Sequence, residues 1–212
     1  MSFFARFAQN RGALVGLIIL LLIIAMAILA PLLFPESPWR MVQRPFLPPL
    51  SQDGFPLGTD TMGLMHGAWV SLLIGLVSTS VALLIGVPLG AIAGYYGGII
   101  DDVLMRFTEF FQTIPNFALA IVLVAIMQPS ITSIVLAIAI VSWPPVARLV
   151  RAEFMSLRNR EYVEAARLVG QSNTTIILRQ ILPNTLSPII VLASLMVATA
   201  ILLESALSFL GL

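Results

Sequence analysis

Long runs without a charged residue dominate the chain, and their lengths predict its elements. Twenty-four uncharged residues separate Arg11 from Glu36, more than the roughly 20 that a helix needs to cross about 30 Å of hydrocarbon. A first transmembrane helix is therefore expected at 13–34. The competing reading, a cleaved signal peptide, is disfavoured because the apolar run is longer than an h-region and no small-x-small site follows it. Gly67 to Ile100 contributes 34 uncharged residues and predicts a second span at 69–94, ended by Gly94-Tyr95-Tyr96-Gly97-Gly98. Phe110 to Ala147 contributes 38 more, too many for one span, and Gln128-Pro129-Ser130 supplies a turn between two antiparallel helices at 106–127 and 131–149. Gln180 to Leu203 adds 24, and Pro183 suits the first turn of a fifth span at 184–205. The expectation is an all-α integral membrane protein.

Composition agrees with that pattern. Of 212 residues, 59% are hydrophobic and 10% charged, and the mean hydropathy is +1.02; soluble domains carry about a quarter charged residues. The chain has no Lys and no Cys, and its one His is His66. A P-loop, a Schiff-base enzyme and a Cys/His zinc cluster are thereby excluded. A net charge of +1 offers nucleic acid no general attraction.

The placement of the Arg residues orients the spans. With a cytoplasmic N-terminus (1–12), nine Arg fall inside, and Arg40 and Arg44 fall outside on the Pro-rich extracytoplasmic loop 35–68. That asymmetry is the positive-inside pattern. The loop caps the bundle or meets an external partner. Six of the eleven Arg lie at 148–179, in or beside a cytoplasmic segment at 150–183 that reads as helix, Gly, helix. Asn159 is expected to cap a helix over 160–169 with Tyr162, Ala165, Ala166 and Val169 on one face. Gly170 suits a left-handed C′ position, and Ser172 or Asn173 starts a second short helix that must stop by Pro183. Ala165, Ala166 and Gly170 leave one side nearly bare, which suits docking of another protein. The alternative is a connector lying on the lipid with its Arg on anionic head groups.

The order of these residues is more specific than their periodicity. Glu164-Ala165-Ala166, Gly170 and Leu182-Pro183, at this spacing, resemble the EAA motif of binding-protein-dependent ABC importer permeases. Gln180 stands where the general pattern has Ile; this and Ile181-Leu182-Pro183-Asn184 resemble the dipeptide, oligopeptide and nickel permease branch. Similar segments are Leu57-Gly58-Thr59-Asp60, Gly94 to Gly98 with Asp101 and Met105-Arg106, Ile114-Pro115, Ala147 to Glu153, and Leu207 to Gly211. The resemblance extends from about residue 12 to 212.

The resemblance implies a type I ABC importer permease-like bundle, here the C-type subunit. It implies a second homologous permease subunit, two ATP-binding cassette subunits, an extracytoplasmic solute-binding protein and a bacterial inner membrane. ATP and Mg would sit on the partners, with no catalytic residue, cofactor or metal in this chain. Glu161, Tyr162, Glu164, Ala165, Ala166, Gly170, Leu182 and Pro183 would form the ATPase-coupling segment, and the cargo would be peptides or similar small solutes, or nickel. About six residues of the family pattern are missing between Gly63 and Leu64, beside His66. The family also continues past Gly211 with a sixth span, so one of six is expected to be absent.

Polar residues inside the spans are expected to bond between helices or to line a pathway. They are Ser78, Thr79, Ser80, Gln112, Thr113, Asn116, Ser142, Ser194 and Thr199, with Gln112, Asn116, Ser142, Ser194 and Thr199 as pathway candidates. Pro115 and Pro144-Pro145 predict kinks. Glu204 fits either the outer interface or the pathway. Two rivals remain: a secondary transporter, which needs intramembrane ionisable groups or an inverted repeat, and a non-transporting scaffold.

Overall fold

The computed structural model describes residues 10–33 and 61–211, and among these residues there are helices and turns but no strand. The segment 35–60, including Leu57 to Asp60, lies outside the described residues. The chain divides into two compact units, Met1–Leu73 and Ile74–Leu212. The first contains α1, Arg11–Leu33, apolar on every side as a lipid-facing helix must be, and the beginning of α2. Asn10 opens α1, its side chain accepting a hydrogen bond from the Ala13 amide at 3.1 Å.

The second unit holds the rest of α2 and the remaining elements. Helix α2 runs Thr61–Tyr96, eight residues earlier than the expected start at 69. It is followed by α3, Gly98–Thr113, α4, Asn116–Met127, and α5, Ile131–Leu157. After them come α6, Glu161–Leu168, a short turn α7, Asn173–Thr175, a π-helical segment, Ile176–Ile181, and α8, Leu182–Phe209.

Among the described residues, four helices are long and apolar enough to cross a membrane: Arg11–Ala30, His66–Tyr96, Ile131–Leu157 and Asn173–Phe209. A fifth candidate is a bent pair of helices, which is either a broken span or a re-entrant loop. The expected continuous helix at 106–127 is instead two helices meeting at 83°. Pro115 has no N–H to continue the ladder, and it pushes the preceding residue out of the helical region. Ile114 is extended, with φ −89° and ψ 130°, and Pro115 follows at ψ 127°. Pro144 and Pro145 behave differently, because α5 passes through both without interruption.

Helix α5 is the centre of the unit. Its apolar window is 67% buried, against 33% for α2 and 17% for the helix ending at Phe209. α2 reaches it through a stripe of glycines. A Cβ at Gly86 would lie 2.6 Å from Val146 Cβ, and one at Gly94 2.5 Å from the Arg151 carbonyl oxygen. Gly90 faces the Ala147 carbonyl just as closely. Between helices in lipid there is no hydrophobic drive, and close backbone approach through small residues takes its place. Trp143, Val146, Val150 and Phe154 of α5 fill the core on this side; Phe107 of α3 stacks on Trp143 at 5.8 Å between ring centres and Phe111 meets it edge-on at 5.3 Å.

Candidate functional site

The segment after α5 is the most elaborate polar structure in the second unit. Helix α6 begins at Arg160 in extended conformation, without a side-chain cap, so Asn159 does not play the capping role expected of it. Glu161 and Glu164 occupy the first turn and Arg167 the last, each opposite in sign to the helix-dipole end it sits on.

Its end is a Schellman turn. Val169 is the C-cap, and Gly170 has φ +81°. The Gly170 amide donates to the Arg167 carbonyl at 2.9 Å, and the Gln171 amide donates to the Ala166 carbonyl at 3.1 Å, the pair of bonds that defines the motif. Gly170 fits because only a residue without Cβ takes this conformation at little cost. Ser172 then caps α7, its hydroxyl accepting from the Thr175 amide at 3.3 Å.

The buried face of α6 differs from the one expected. Val163 and Ala166 turn inward into a cluster with Phe154, Ile176 and Ile181, whereas Tyr162, Ala165, Leu168 and Val169 are exposed. Which side is covered is set by the returning π segment, which packs on Val163, and helical periodicity alone could not place it. The outcome is an apolar tip: Leu168 is 89% exposed and Val169 81%.

The second helix does not stop at Pro183. The chain passes from α7 through the π segment into α8 as one helical rod, Asn173–Phe209. In the π segment the ladder reaches one residue further back, and the Leu182 amide donates to the Ile177 carbonyl. Pro183 follows directly after this widened turn. The Asn184 side-chain amide donates to the Gln180 carbonyl at 2.7 Å. Leu157, Asn159, Arg160, Glu161, Tyr162 and Asn184 line an open hollow of about 770 Å³ at this junction.

Two polar ties hold the ends of α2 and α3 to this region, and neither was legible from spacing. Asp101 takes a bidentate pair from Arg151, Nε to Oδ1 at 2.5 Å and Nη2 to Oδ2 at 2.6 Å. Tyr95, in the last turn of α2, donates its hydroxyl proton to Asn173 Oδ1 at 2.8 Å. Asp101 and Tyr95 are visible as chemistry in the sequence, but their partners lie 50 and 78 residues away.

The polar residues inside the spans mostly bond to their own helices. Ser78 donates to the Ile74 carbonyl at 2.6 Å, Ser80 to Leu76 at 2.7 Å, Thr113 to Glu109 at 3.1 Å, Ser194 to Val191 at 2.7 Å and Thr199 to Met196 at 3.0 Å. The expected inter-helix bonds are therefore not made by these five, since a short hydroxyl reaches a carbonyl one turn back first. Thr79 is buried with its hydroxyl unpartnered. Gln112 makes the exception, accepting from Arg148 of α5. Asn116 is exposed at the start of α4, and Ser142 is half-buried on α5. Glu204 is buried on α8 and accepts from the Ser208 hydroxyl at 2.9 Å.

Two stretches of the chain match known families. Residues 86–212 match the family described as "binding-protein-dependent transport system inner membrane component". Residues 2–49 match the N-terminal transmembrane domain of oligopeptide transport permease C. The dipeptide transport system permease protein DppC of Haemophilus influenzae is 38% identical over 99% of this chain and 75% of its own length. The di/tripeptide transport system permease protein DppC of Pseudomonas aeruginosa is 41% identical over 100% and 73%. The oligopeptide transport system permease protein OppC of Escherichia coli is 39% identical over 98% and 71%.

Proposed function

Because the chain belongs to the family of binding-protein-dependent transport system inner membrane components, we propose that it is a permease subunit of an ATP-driven importer of short peptides. It would form half of the pathway beside a second, homologous permease in a bacterial inner membrane, with its N-terminus cytoplasmic. An extracytoplasmic binding protein would deliver the cargo. ATP and Mg would be held by two ATPase subunits, and this chain would catalyse nothing itself. The peptide cargo is supported by the relatives, whose names specify dipeptide, di/tripeptide and oligopeptide transport.

The observation that carries the coupling role is the build of α6: an eight-residue helix with an exposed apolar tip, closed by a Schellman turn and feeding a helical rod. An ATPase cleft that gripped Leu168, Val169, Ala165 and Tyr162, with Glu161 and Glu164 at the first turn, would hold a rigid handle. Val163 and Ala166 join the handle to the π segment, and Leu182 and Pro183 continue that segment into α8 without a loop. Approach of two ATPase subunits on binding ATP would then displace α8 as a solid body. In this reading Gly170 is the joint between handle and rod. Gln112, Asn116, Ser142, Ser194 and Thr199 remain pathway candidates.

The test is reconstitution of the chain with its three kinds of partner. Hydrolysis stimulated by the loaded binding protein, with uptake of a labelled dipeptide, is the expected result. A chain that co-purifies with no ATPase would defeat the proposal, and uptake of nickel in place of peptide would correct its cargo.

A further inference from the structure

The segment from Arg158 to Asn173 is attached to the membrane helices at a third point besides its own two ends. Tyr95 sits in the last turn of α2, 7% exposed, and its hydroxyl donates to Asn173 Oδ1 at 2.8 Å. The Arg167 guanidinium carbon stands 5.6 Å from the centre of the same ring, within cation–π range. Arg158 Nη1 donates to the carbonyls of Gly94 and Tyr95 at 3.0 and 3.4 Å. These are carbonyls at the C-terminal end of a helix, where a cation is favoured on both hydrogen-bonding and dipole grounds. The chain leaves α2 at Gly97, with φ +67°, and a Cβ there would lie 2.7 Å from Arg158 Nη1.

Three side chains from three successive elements thus meet one turn of α2. Their order matters. Arg167 precedes the Gly170 turn and Asn173 follows it, so Tyr95 grips the handle and the rod on opposite sides of their joint. A movement of α6 that left Tyr95 behind would have to break the part-buried hydroxyl bond and withdraw Arg167 from the ring.

Resting on the permease reading above, we propose that Tyr95 is a positioning residue for energy coupling. Its hydroxyl and ring tie the α6–α7 joint to α2, so that displacement of the handle is shared between α2 and α8. The tie acts through Asn173 and Arg167 and touches neither cargo nor nucleotide.

The experiment uses the whole complex in proteoliposomes and reads labelled alanyl-alanine transported per ATP hydrolysed. Tyr95→Phe keeps the ring and removes the donor. A neutral hydrogen bond of ordinary net strength corresponds to about a two- to tenfold effect, so the ratio should fall by about that factor. Asn173→Ala should lower it equally, the double variant should be no worse than either single one, and Asn173→Asp, which keeps an acceptor, should restore it. A purely structural role would reduce uptake and hydrolysis together and leave the ratio at the wild-type value. That result, with wild-type coupling intact, overturns the proposal alone. A wild-type complex whose hydrolysis does not respond to the dipeptide overturns the permease reading and this proposal with it.

Discussion

Substitution of Gly170 probes the joint between α6 and the rod with little interference from packing. A Cβ added there would meet nothing within 4 Å, so the effect is confined to the backbone. At φ +81° an ordinary L-residue costs about 1–2 kcal/mol, and a β-branched one more. A strain of that size opens the Schellman turn about five- to thirtyfold more often, which loosens the two bonds closing it, Gly170 to Arg167 and Gln171 to Ala166. Because the exposed tip at Leu168 and Val169 keeps its own helix, the ATPase should still bind. Membrane vesicles carrying Gly170→Val are expected to hydrolyse ATP while importing dipeptide several-fold more slowly. Gly170→Ala should be intermediate, and Gly170→Asn, which tolerates the left-handed region, should be the mildest. Uptake that is unchanged in the Val variant, or that ignores the order Asn, Ala, Val, would refute the idea that this turn transmits motion.

Gly94→Ala would put a methyl group 2.5 Å from the Arg151 carbonyl oxygen and 2.6 Å from Phe154 Cβ; overpacking of this kind costs about 1–3 kcal/mol, so a lower thermal midpoint of the detergent-purified complex is expected, and an unchanged one would contradict the close α2–α5 approach. Asp101→Asn should cost about 1–3 kcal/mol by removing the carboxylate that Arg151 holds at two points, with thermal melting as readout and the exchanged pair Asp101→Arg with Arg151→Asp recovering part of the loss. Leu168→Asp, at a site 89% exposed, should change stability by no more than about 0.5 kcal/mol yet reduce co-purification of the ATPase. Full retention of the ATPase by that variant would remove the apolar tip from the interface.

Much of the architecture is legible along the chain because the bilayer imposes a length rule on uncharged segments. The apolar runs, the turn at Gln128-Pro129-Ser130 and the left-handed position of Gly170 all follow from local chemistry. So does the amphipathic handle itself, as far as its existence. Its orientation does not: Val163 and Ala166 face inward only because Ile176 and Ile181 return across them, and nothing within residues 160–169 encodes that return.

The same boundary separates the two prolines that behaved differently. Locally, Pro115 and Pro183 both argue for a break, and Pro115 makes one of 83°, yet the helix runs on through Pro183, directly after a π turn. Sequence by itself determined a greasy, all-helical chain, the site of its Arg-rich segment and the family that segment resembles. Tertiary structure alone decided that α5 lies at the centre, that the glycines of α2 bring it against that helix, and that Asp101 and Tyr95 find Arg151 and Asn173. The physical reason is distance along the chain: capping, turns and spans are settled within a few residues, whereas a hydrogen bond across 78 positions exists only once the helices between them have packed.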